Sequence, residues 1–99
     1  MRDFILLMHD VTNEAGADTG QQWSDYFARL RAAGVFQGGS SIGDGICIAK
    51  SSAPPDITRH LTGYIRIRAN DLNHAREFIG GNPVFEAGGT VEIRELPED

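Results

Sequence analysis

The chain has 99 residues, a net charge of −5, a single cysteine and no cluster of lysine or arginine. That length fits one domain over residues 1–96, with 97–99 as a frayed tail. A lone cysteine excludes an intrachain disulfide, the acidic balance argues against a nucleic-acid partner, and no apolar run approaches the roughly 20 residues of a membrane span.

The opening residues lack a secretory apolar region and a small-residue cleavage site, so a cytoplasmic protein with no membrane partner is expected. Residues 4–8 are an unbroken apolar run, short enough for a strand and apolar on both faces, as in a strand at the centre of a sheet. A polar loop follows over 11–18. Thr19 and Gln22 then form a capping box ahead of Trp23, Tyr26, Phe27 and Leu30, whose spacing predicts a helix closed by Gly34.

Val35 and Phe36 start a second strand, in which Gly38 and Gly39 mark a bulge or a close backbone approach. Gly43, Asp44 and Gly45 read as a hairpin turn, with strand resuming from Ile46 to Ala49 and placing Cys47 among buried apolar groups. Pro54 and Pro55 interrupt the chain before a third main strand over 60–68. There Ile65 and Ile67 alternate with Tyr64, Arg66 and Arg68. Asn70 and Asp71 can cap a second helix with Leu72, Ala75, Phe78 and Ile79 inward; Gly80, Gly81, Asn82 and Pro83 turn the chain. The last strand covers 90–96, with Val91 and Ile93 opposite Glu92 and Arg94.

The order β-α-β-β-α-β is the split βαβ, ferredoxin-like arrangement. It is an α+β fold whose antiparallel sheet carries both helices on one face. The other face is bare, and a chain this small gains from a second subunit, so a homodimer joined through the bare faces is expected.

The stretch 82–94, from Asn82-Pro83-Val84-Phe85-Glu86 through Gly88-Gly89-Thr90 to Arg94, resembles the carboxy-terminal signature of the YCII-related, DGPF-type family. Gly63-Tyr64, Asp71-Leu72 with Ala75, and Ala33-Gly34 leading into Gly38-Gly39 resemble it too. The resemblance implies a dimeric α/β barrel with a cleft between the first helix, the sheet and the partner. It also implies relatives that act as lyases, dehalogenating enzymes or hydrolases through a His-Asp pair. Two positions differ. The histidine some members carry on the first helix falls near Trp23, and the Asp-Gly-Pro-Phe window reads Ser-Ser-Ala-Pro-Pro-Asp over 51–56.

The residues themselves offer one weak catalytic candidate, His9, whose imidazole can act as a general base. His9 and Asp10, adjacent on a strand, point to opposite faces and cannot pair. Trp23 has an indole that can stack on a flat ligand. Tyr64, Arg66, Arg68 and Arg94 share the bare face with Glu92, where guanidinium groups either pair with carboxylates across a dimer seam or hold an anion. His60 and His74 stand alone, His74 facing solvent. No spacing supports a metal, a nucleotide or a nucleophile elbow, so no cofactor is expected.

The expected protein is a dimeric small-molecule-binding or interaction module without the family's catalytic residues intact, in which Trp23, Tyr64, Arg66, Arg68 and Arg94 would hold any small anionic or aromatic ligand. The alternative is a cofactor-free lyase-, isomerase- or hydrolase-like enzyme acting on a small anionic or phenolic compound.

Overall fold

A computed structural model describes residues 1–9, 20–50 and 53–98. Its elements are β1 (Arg2–His9), α1 (Gly20–Ala32), β2 (Phe36–Ser41), β3 (Leu61–Ala69), α2 (Leu72–Arg76), α3 (Pro83–Glu86) and β4 (Thr90–Leu96). The four strands form one antiparallel sheet in the order β2-β3-β1-β4, with β1 and β3 central. The Thr19 half of the capping box and the polar loop 11–18 lie outside the described residues.

Alternation assigns the two faces. Phe4, Leu6 and Met8 from β1 meet Ile65, Ile67 and Ala69 from β3, and all are buried. Tyr26 and Leu30 of α1 close over them, Trp23 and Phe27 pack alongside, and Val91 and Ile93 of β4 extend the same layer. The opposite face carries no helix among the described residues.

The end of α1 shows why Gly34 stands there. It takes φ 76°, its N–H reaches Arg31 O at 3.0 Å, and the Val35 N–H reaches back to Leu30 O at 3.2 Å. This is the Schellman pattern, with Leu30 and Val35 both buried as its apolar contact. In β2 the register shifts between Phe36 and Gly38, a bulge at Gln37. A Cβ at Gly39 would stand 2.5 Å from Tyr64 O, so both expectations for the glycine pair hold.

Several expectations need correction. Residues 46–49 are not strand, and Ile46 and Ile48 are 80% and 85% exposed. Ile42 N–H bonds Thr62 O at 3.0 Å, after which no ladder continues, so the alternation there has no strand partner among the described residues. Cys47 is accordingly half-buried rather than enclosed in a strand. Leu72 is exposed, because α2 spans only five residues and turns only Ala75 fully inward.

The turn expected at Asn82-Pro83 is a short helix, α3. Asn82 caps it by accepting from Val84 N at 3.0 Å and Phe85 N at 3.1 Å, and Pro83 opens it. A Cβ at Gly89 would fall 2.7 Å from Val84 Cγ1 and 2.9 Å from His9 O. Only glycine lets α3 rest this closely against the end of β1.

Candidate functional site on the open face of the sheet

Antiparallel register lays the open face out in rows. Ser40, Tyr64, Leu7 and Glu92 form one row; Gly38, Arg66, Ile5 and Arg94 form the next; Arg68, Asp3 and Leu96 form a third. Two half-buried apolar side chains, Ile5 and Leu7, therefore occupy the centre. Tyr64 and Arg66 flank them on one side, Glu92 and Arg94 on the other. Arg66 and Arg94 stand two strands apart, about 10 Å between backbones.

The charges on this face are only partly matched. Arg68 Nε pairs with Asp3 Oδ1 at 3.1 Å, and Arg94 Nη1 with Glu92 Oε2 at 3.0 Å. Arg66 has no carboxylate partner among the described residues. Its Nη2 donates to Gln37 O at 3.1 Å, and the side chain leans over Gly38, where a Cβ would sit 3.6 Å away. These bonds are exposed and hold little energy individually.

His9 stands at the upper end of the face, its side chain 19% exposed. Its Nε2 lies 2.9 Å from Glu92 Oε1. A carboxylate only accepts, so Nε2 carries the hydrogen and the neutral ring keeps Nδ1 as its acceptor. Glu92 thus holds His9 with one oxygen and Arg94 with the other. The hydrogen bond from His9, then that from Arg94, keep the Glu92 carboxyl below its ordinary value. The His60 ring lies 5.0 Å from that of His9, so His60 is not isolated. A register shift between Met8 and His9 sets His9 opposite Leu61 and brings the two rings together.

The structure unites His9, Tyr64, Arg66, Arg68 and Arg94 on one face. Trp23 is not among them. It stacks on Phe27 at 5.5 Å between ring centroids, meets Tyr26 edge-on at 6.1 Å, and belongs to the helix layer with the sheet in between. The partner of His9 is Glu92, a pairing missed in the sequence although parity holds the signal. Both residues alternate onto the open face, and the topology makes β1 and β4 neighbours. His74 is half-buried: its Nδ1 accepts from Asn70 N at 2.9 Å and its ring meets Phe78 edge-on. Among the described residues no three of His, Cys, Asp and Glu converge as metal ligands. None of the helices there is long and apolar enough to cross a membrane.

No protein-family model matches the sequence, and no curated protein is similar to it. One solved structure similar to this chain is the 5-chloro-2-hydroxyhydroquinone dehydrochlorinase TftG from Burkholderia phenoliruptrix AC1100, in complex with 2,5-dihydroxybenzoquinone. The TM-score is 0.60 at 12% identity, covering 98% of this chain and 95% of that one. At that identity the likeness is one of fold: the ferredoxin-like α+β arrangement, shared over essentially the whole of both chains.

Proposed function

We propose that the protein is a dimeric small-molecule-binding module of the YCII-related kind, whose site is the open sheet face closed by a second copy. The observation that carries this is the row Arg66-Ile5-Arg94 beside Tyr64-Leu7-Glu92. It is a flat apolar centre with a guanidinium on each side, one of them without a carboxylate. A planar anion of the phenol, quinone or aromatic-acid class fits it, with its ring on Ile5 and Leu7 and its charge on Arg66. The complex of TftG with 2,5-dihydroxybenzoquinone is compatible with that class of ligand. Tyr64 and Arg68 border the site, and Trp23 serves helix packing instead.

The test is thermal unfolding with a panel of small phenols, hydroxyquinones and carboxylic acids. A ligand at a hundredfold its Kd adds about 2.7 kcal/mol. Arg66→Gln should remove the stabilisation and leave the ligand-free melting point unchanged. An unchanged ligand response in that variant, or no response to any of the panel, defeats the proposal.

The His9–Glu92 pair favours a second reading, a cofactor-free enzyme. With Nε2 held by Glu92, Nδ1 can take a proton from a bound phenol or from a carbon beside a carbonyl, as lyase and isomerase chemistry requires. Mass spectrometry of the bound compound separates the two. A module returns it unchanged, whereas an enzyme converts it and His9→Ala stops the conversion.

A further inference from the structure

Two features are left without partners, and they complement each other. The first is the outer edge of β4, which has no neighbouring strand among the described residues. Beside it, on the helix side, runs a groove of about 380 Å³ lined by Arg76, Ile79, Phe85, Val91 and Ile93. Phe85 is 47% exposed on its wall. The Arg76 side chain makes no ion pair or hydrogen bond among the described residues. An unpaired strand edge next to an apolar groove is a template for another strand.

The second is the segment after β2. Asp44, Ile46 and Ile48 share one face of an extended chain, with Cys47 on the other. Both isoleucines are solvent-exposed, and Asp44 has no ion pair among the described residues. This face has an acid followed by two apolar groups; the groove has a guanidinium beside four apolar side chains.

The segment leaves the β2 side of the sheet, while the groove lies at the β4 side. A two-fold axis that sets the β2 side of one copy against the β4 side of another does so twice, and the contact closes.

We propose that segment 44–48 of one copy adds as a strand to the free edge of β4 in a second copy. Asp44 meets Arg76, Ile46 and Ile48 enter the groove, and Cys47 turns toward the open face. This rests on the second copy proposed above and specifies how it is gripped. The exchange joins the two sheets at their edges and walls in the ligand face.

The sole cysteine supplies the test. Cys47 would lie across from the open-face side of β4, so in the Arg94→Cys variant it should form an interchain disulfide with the thiol introduced at position 94 under mild oxidation. Gln37→Cys, on the β2 side, should form no interchain link to Cys47. In parallel, Arg76→Glu should weaken the dimer about tenfold or more, and adding Asp44→Arg should restore it. Peptide mapping and light scattering read the results. If the wild type is dimeric but Arg94→Cys gives no link to Cys47, or the charge swap gives no rescue, the strand exchange is overturned and the second copy stays in place. A link between the position-94 thiols of two copies means that β4 edges meet each other and also overturns it. A monomeric wild type sinks both proposals.

Discussion

Replacing Asn82 by alanine tests how α3 is built and, through it, how the His9 end of β1 is held. Asn82 is wholly enclosed, and its Oδ1 is the acceptor for both the Val84 and Phe85 N–H groups. Alanine leaves two donors without that acceptor at a helix start. Loss of such a cap costs about 0.5–2 kcal/mol, and enclosure places this one at the upper end, about 2 kcal/mol. For a domain of this size that is roughly 8–16 °C in melting temperature. Asn82→Ser distinguishes the cap from simple loss of volume. Serine keeps an oxygen acceptor and removes Nδ2, which makes no well-formed hydrogen bond among the described residues. Its cost should be about half that of alanine, although serine is also smaller than asparagine. Thermal unfolding by circular dichroism compares the two, and hydrogen exchange at the Val84 and Phe85 amides localises the loss. Equal melting points for the two variants would refute the capping argument.

Glu92 titrates below its ordinary value in the fold, so its contribution to stability is complete above the unfolded value, about 4.3, and disappears as pH falls through the folded one. Glu92→Gln should therefore flatten the fall in melting temperature between about pH 6 and pH 2. Tyr26 behaves in the opposite sense. Burial pushes its phenol up, against the Asn82 amide and the Arg29 charge, so its contribution is complete below the unfolded value, about 10, and is lost as pH rises through the raised one. An absorbance titration should show a late tyrosine ionisation that Tyr26→Phe removes. Gly39→Ala forces a Cβ onto the Tyr64 carbonyl and should lift β2 from β3, costing about 1–3 kcal/mol and speeding amide exchange in β2.

Much of this fold was legible because the pattern had a short physical period. Strand alternation in β3 and β4 assigned Tyr64, Arg66, Arg68, Glu92 and Arg94 to one face, and the spacing from Trp23 to Leu30 located α1. Residues 46–49 have a strand pattern but form no strand, because alternation reports a tendency to pair, not the presence of a partner. The α3 cap was readable as Asn-Pro followed by helix-compatible residues, but the two glycines before it read more strongly as a turn. Position along the chain points Trp23 toward the ligand, whereas its ring follows the helix stripe into the packing layer. Alternation alone offers Glu92 an arginine as its partner. Its bond to His9 depends on cross-strand register, which the turn residues do not specify.

The position of β1 carries a cost during synthesis. It is made before the other strands and lies between the two that are made last: Phe4 is opposite Ile67 on one side and Glu95 on the other, about 60 and about 90 residues later. Until β3 emerges, the apolar run from Phe4 to Met8 has no strand to pair with, and one of its edges stays open until β4 is complete. Pairings this distant make folding slow, and a nascent central strand of this composition is prone to associate with other chains. The chain therefore depends on its last strand for protection of its first, and shortening β4 should raise aggregation during expression more than its loss of contacts alone implies.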